Sequence, residues 1–133
     1  MSRARGEFTV TLTPQSTDEV TGASTLARLA IDKQFTGDLI GVSKGEMLSA
    51  GTPVKGSAGY VAIERVTGAL HGRIGTFVLQ HSGTMTRGSP ELTVSVVPDS
   101  GSGELTGLTG TMRIIIEGKR HSYEFDYALG MNV

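Results

Sequence analysis

Apolar and polar residues alternate in short runs along this chain, and no stretch carries an apolar stripe at helical spacing. Phe8, Val10 and Leu12 alternate with Glu7, Thr9, Thr11 and Thr13, a period of two that places apolar groups on one face of a half-buried strand. Pro14 is expected to end that strand, and the Ser-, Thr-, Asp- and Gly-rich segment from Gln15 to Ser24 to form a flexible connection. Leu29, Ile31 and Phe35 then alternate with Arg28, Asp32 and Gln34 as a second strand. From Gly37 to Leu48 a third, bent strand is expected, because Gly41 and Gly45 inside it suggest a bulge or close approach of a neighbouring backbone.

Strands from Gly59 to Thr67 and from Ile74 to about Met85 flank the Gly68 to Gly72 connection and should form a hairpin. After the break at Arg87-Gly88-Ser89-Pro90, Leu92, Val94 and Val96 mark a sixth strand. Pro98 to Gly103 is loop, and Glu104 to Leu108 suits a single helical turn. Met112, Ile114 and Ile116 resume the two-residue period, Glu117-Gly118-Lys119 supplies a tight turn, and Tyr123, Phe125, Tyr127 and Leu129 line one face of the last strand. Eight short strands separated by Gly-rich turns predict an all-β fold, a single antiparallel barrel over residues 1–133 with residues 1–6 as a flexible lead. Nineteen glycines favour the barrel over a two-sheet sandwich, since closing a sheet needs sharp bends and removes exposed edges.

Several runs carry a family likeness. Phe35 to Leu48, Gly59 to Gly68, Gly72 to Thr84, Val97 to Gly110 and His121 to Tyr127 resemble a bacterial family catalogued as domain of unknown function 3224, so the likeness covers nearly the whole chain. The resemblance implies a barrel similar to plant allene oxide cyclase and dirigent proteins, whose cavities shape a reactive small molecule during ring closure or coupling. It transfers no catalytic residue, because no cyclase active-site position aligns here. Function therefore has to come from the side chains themselves.

Composition narrows the classes. Twelve Lys and Arg against thirteen Asp and Glu leave a net charge of −1 with no basic stripe, which argues against nucleic acid as a partner. The absence of cysteine excludes disulfides, thiolate metal sites and a cysteine nucleophile. Three scattered histidines offer no metal-ligand spacing, and Gly37, Gly41 and Gly45 lack the strand-turn-helix setting of a phosphate loop. No cofactor or metal is expected. No apolar run is long enough to span a bilayer, and Met1-Ser2-Arg3-Ala4-Arg5 is not followed by an apolar signal core, so a cytoplasmic setting without membrane contact is expected.

Glu64 stands mid-strand in Tyr60-Val-Ala-Ile-Glu-Arg-Val66, where an inward carboxylate would need a partner or a proton. A raised pKa there would suit general acid or base work; an outward Glu64 on a solvated face is the plainer alternative. His81 falls in the set Phe77, Leu79, His81, Met85 and could transfer protons, or simply be a paired core-edge histidine. Hairpin register decides whether they meet: pairing positions with an odd sum align Glu64 with His81, and an even sum aligns it with Gln80. Glu64 and Tyr60 are taken to point inward on the family resemblance. Tyr123 and Tyr127 present apolar rings with polar tips, useful to a ligand or as core filler. His71 and His121 sit at turns and are expected to be solvated, and Ser82 beside His81 makes no triad, since adjacent strand residues face opposite ways.

The candidate site is thus Glu64 and His81 as catalytic groups, with Tyr60, Phe77, Gln80, Tyr123 and Tyr127 as ligand contacts. The expected function is binding of a small apolar or amphipathic molecule in a cavity with a few polar anchors. A cofactor-free cyclase or isomerase using Glu64 or His81 is the alternative, and a structural or assembly role the third. Outward Val61, Ile63 and Ile115 would offer apolar area for a homo-oligomer.

Overall fold

The computed structural model describes residues 1–130, whose regular elements are all β-strands: β1 (Ser2–Asp18), β2 (Thr25–Phe35), β3 (Leu39–Gly51), β4 (Ala58–Leu70), β5 (Arg73–Thr86), β6 (Ser89–Val96), the two-residue β7 (Ser102–Gly103), β8 (Leu108–Glu117) and β9 (Arg120–Leu129). Every pairing is antiparallel, β1 pairs with both β2 and β9, and β4 pairs with β5, so eight strands close into a barrel with β7 added on β5. The seam between β6 and β8 is the thinnest, a single bridge between Ser95 and Thr111. Closure leaves no long free edge. The sandwich alternative is thereby excluded.

Turn chemistry sets the connections. Leu70 pairs with Arg73 and Thr86 with Ser89, which leaves two-residue loops, His71-Gly72 and Arg87-Gly88, with positive φ at both positions. That is the turn whose twist matches a right-handed hairpin. Gly118-Lys119 joins β8 to β9 as expected. Between Ser102 and Leu108 consecutive tight turns replace a full helical turn, and Leu105 from this connection is fully buried in the core.

Two expectations about β1 are corrected. The first residues are not a loose lead: Ser2 to Phe8 pair with Tyr127 to His121, and Ala4 is fully buried. Pro14 does not end the strand either. The ladder with β2 slips between Pro14 and Ser16 and resumes as far as Asp18, which absorbs the proline's missing donor at a bulge and makes strand of Gln15 to Asp18, the first part of the supposed flexible connection.

Inward rows of alternate residues fill the barrel. At the end where β1 begins and β9 stops, Phe35, Leu39, Leu70, Phe77, Leu105 and Phe125 pack together, with Phe77 stacked on Phe125 at 5.7 Å between centroids. Each such side chain contributes about 1.5–3 kcal/mol by leaving water. Toward the other end the inward positions Leu12, Met85 and Leu92 are still 42%, 43% and 45% exposed. The barrel is sealed at one end and wetter at the other.

Candidate functional site

Glu64 sits mid-barrel because the β4–β5 register has an odd sum: Ala62 pairs with His81, Glu64 with Leu79 and Val66 with Phe77. Glu64, His81 and Tyr60 therefore share the inner face, and Val61 and Ile63 point out, each about half exposed. On the other side Glu64 pairs with Gly45 of β3. A Cβ on Gly45 would lie 2.0 Å from the Ile63 carbonyl oxygen and 2.6 Å from the Glu64 Cα, so only glycine lets β3 approach the strand that carries the carboxylate.

The buried carboxylate is fully engaged. Its Oε2 accepts from Nζ of Lys33 at 2.8 Å and from Nε2 of His81 at 2.7 Å, and its Oε1 accepts from the Ser43 hydroxyl at 2.8 Å. Lys33, Ser43, Glu64 and His81 are all buried, and no buried side-chain polar atom among the described residues lacks a partner. Lys33 also lies over the rings of Phe8 and Phe35, at 5.0 and 5.9 Å from their centroids. Burial alone would raise the Glu64 carboxyl; the His81 hydrogen bond and the Lys33 ammonium outweigh it and hold the group at about 2. The raised pKa expected for general acid chemistry is replaced by its opposite. Glu64 is an anion that orients its neighbours.

An ionised carboxylate only accepts, so Nε2 of His81 carries the proton between them. In the neutral ring Nδ1 is then an acceptor, and it faces the Tyr60 hydroxyl at 3.4 Å, with the rings 6.2 Å apart. Tyr60 is half-buried, the member of this network that reaches solvent. Its phenol is held neutral, raised first by burial and then by the nearby Glu64 charge. A depression of about 580 Å³ lies on the outer face of β1 to β5, between the outward row Arg28, Leu48, Val61 and Ser82 and the outward row Leu26, Ala50, Gly59 and Thr84; the strand at Tyr60, whose side chain points inward, runs along its floor.

The remaining expected contacts lie elsewhere. Phe77 is 1% exposed in the sealed core. Gln80 pairs with Ile63 on the outward row and is exposed, which corrects its placement among inward groups; the register that turns His81 in necessarily turns Gln80 out. The Tyr123 hydroxyl accepts from the Leu39 amide at 2.9 Å and donates to the Thr36 carbonyl at 2.7 Å, so it ties the β2–β3 connection to the core. His71 is exposed at its turn, as expected, and is also held there: its Nδ1 bonds to the Tyr127 hydroxyl and its Nε2 lies 3.6 Å from Asp38. His121 is half-buried against Phe8.

Lys33 and Ser43 went unread in the sequence, although both carry a signal. Position 33 lies in the apolar phase Leu29, Ile31, Phe35, and position 43 in the phase Leu39, Gly41, Gly45, Met47. A lysine inside an apolar row of a barrel needs a buried anion, and Glu64 is that anion. Among the described residues no three His, Asp or Glu side chains gather to hold a metal, and no helix is long and apolar enough to cross a membrane.

Fold and network together define a closed eight-stranded antiparallel barrel with a buried carboxylate clamped by lysine, histidine and serine. The chain belongs to the DUF3224 family, described as proteins of unknown function, whose model matches residues 4–127. It is similar to a crystal structure, at 1.84 Å resolution, of a protein of unknown function from the DUF3224 family of Shewanella oneidensis MR-1. The two share 54% sequence identity over 99% of each chain, with a TM-score of 0.95. A search of curated proteins gives no match.

Proposed function

We propose that this protein binds a small apolar or amphipathic molecule in the depression on the outer face of β1 to β5, with Arg28, Ser82 and Thr84 as polar anchors at its edges. The observation that carries the reading is the recess itself, walled by Leu26, Leu48 and Val61 and edged by Arg28, which Glu46 holds at 2.6 Å. Ligand sites combine these two features, apolar walls for affinity and a few fixed polar groups for orientation. The likeness to allene oxide cyclase and dirigent barrels supports a small, largely apolar ligand, and a cytoplasmic setting without nucleic acid or membrane goes with this reading.

A cofactor-free cyclase or isomerase is the second reading, favoured by the 2.7 Å contact of Glu64 with His81, which fixes the imidazole as carboxylate–histidine pairs do in proton-transfer enzymes. The apolar outer positions Val61 and Ile63 also suit a homo-oligomer.

Val61→Arg tests the leading reading, because this half-exposed residue lines the depression without joining the core. Screening a library of uncharged aromatic and terpenoid compounds by NMR should give ligands whose shift changes gather at Leu48, Tyr60, Val61 and Gly83 and vanish in Val61→Arg. Ligands that bind the variant equally well, or shift changes spread over the barrel, would overturn it.

A further inference from the structure

Arg28 edges the outer depression, but its charge is already met, because Glu46 holds the guanidinium at 2.6 Å. The depression continues beyond it. It shares Arg28, Leu48, Val61 and Ser82 with a second of about 610 Å³, which in turn shares Glu46 and Ile63 with a third of about 250 Å³. Together they form one trough along Gly59, Val61, Ile63 and Arg65, the outward row of β4. Arg65 lies six residues after Gly59, about 20 Å along a strand.

Charge is unevenly distributed along this trough. Val61 and Ile63, each about half exposed, make its middle apolar. At the far end Arg65 stands directly opposite Lys44 of β3 and Val78 of β5. Like charges directly opposite one another destabilise a ladder. Lys44 has Asp32 at 3.8 Å, whereas Arg65 is exposed and makes no ion pair among the described residues. The nearby acidic groups, Glu46 and Asp32, face Arg28 and Lys44. The trough therefore runs from an apolar stretch to a cation that lacks an anion.

Resting on the binding reading above, we propose that the ligand is a free single-chain carboxylate whose hydrocarbon chain lies along Val61 and Ile63 and whose anionic head meets Arg65. One acyl chain spans about 15 Å in half of a bilayer core, a length the trough accommodates. Guanidinium and carboxylate match in a planar fork of two hydrogen bonds, and the carboxylate also offsets the repulsion between Arg65 and Lys44. An anionic bilayer is a poorer match for this face. Binding one takes a cluster of basic residues, and the chain as a whole carries a net charge of −1.

The test compares decanoate with decan-1-ol, which has the same chain without the charge, and with hexanoate, which has the same head and four fewer CH₂ groups. In NMR titrations of the wild-type protein, decanoate should shift residues from Gly59 to Arg65. It should bind about fivefold more tightly than decan-1-ol at low salt, the upper end of what an exposed ion pair gives, and about 0.5 M NaCl should remove most of that difference. Hexanoate should bind about 16-fold more weakly than decanoate. Full burial of one CH₂ tightens binding roughly fourfold, and a trough open on one side gives about twofold. Arg65→Gln, a change at an exposed residue, should keep the fold and bind decanoate and decan-1-ol alike. A wild-type protein without preference for decanoate over decan-1-ol, or a preference that survives in Arg65→Gln, would overturn the place of the head while leaving the binding site standing. Hexanoate binding as tightly as decanoate would overturn the place of the chain. Flotation of the protein with phosphatidylglycerol vesicles would replace the free carboxylate by a membrane surface. Binding of none of the three compounds, with the trough empty or covered by a second copy in sedimentation, would overturn the binding reading and this proposal with it.

Discussion

Nε2 of His81 lies 2.7 Å from Oε2 of Glu64, the oxygen that Lys33 also reaches at 2.8 Å. Three strands, β2, β4 and β5, deliver these groups to one point inside the barrel, and Ser43 from β3 completes the set. The arrangement depends on register at three ladders. A slip of one residue at any of them would send a charged group outward and leave its partner buried alone.

Removing one partner from this point should be costly. Lys33→Met is expected to destabilise the protein by about 3–5 kcal/mol, because it strands an anion in an apolar row. Adding Glu64→Leu to Lys33→Met should recover part of that loss. Urea unfolding of the single and double variants checks both statements.

Acid should weaken the fold through the same carboxylate. The folded pKa of Glu64, about 2, lies below its ordinary value of 4.5, so the stabilisation is fully present above that ordinary value and is lost as pH falls toward 2. Urea midpoints at pH 6 and pH 3 should therefore differ by more in wild-type protein than in Glu64→Gln, which has no carboxyl to titrate at this site. Equal pH dependence in the two proteins would show that Glu64 is not depressed.

Tyr123 should prove structural. Tyr123→Phe leaves the buried Leu39 amide without its 2.9 Å partner and the Thr36 carbonyl without a donor, at an expected cost of about 1–3 kcal/mol. Ligand binding at the outer depression beside Val61 should be unchanged, as measured with the same compound library.

Gly45→Ala should disturb the site from its back wall. The added methyl would meet the Ile63 carbonyl and the Glu64 Cα, both backbone atoms that cannot swing away. The expected loss is at least about 1–3 kcal/mol of stability, together with faster amide exchange at Ile63 and Glu64 in hydrogen-exchange measurements.

Much of this was legible in the residues. Tyr123, Phe125, Tyr127 and Leu129 alternate cleanly and form β9 facing the core. The β4–β5 hairpin was legible too, but its register was not, because Val61 and Ile63 balance Tyr60, Ala62 and Val66 as candidates for the inner face. The two-residue loop His71-Gly72, with positive φ at both positions, fixes that register in the structure. Lys33 was overlooked because a lysine in an apolar phase has meaning only once its anion, 31 positions away, is known to face it. Gln80 was misplaced for the same reason: its side follows from the pairing of β4 with β5 and not from its own neighbours.

The direction of the hydrogen bonds is the central claim, and nitrogen NMR of His81 measures it directly. Long-range ¹⁵N–¹H correlation should show a proton on Nε2 of His81, toward Glu64, and an Nδ1 shift that changes in Tyr60→Phe. An Nε2 without a proton, or an Nδ1 shift indifferent to Tyr60→Phe, would contradict the account.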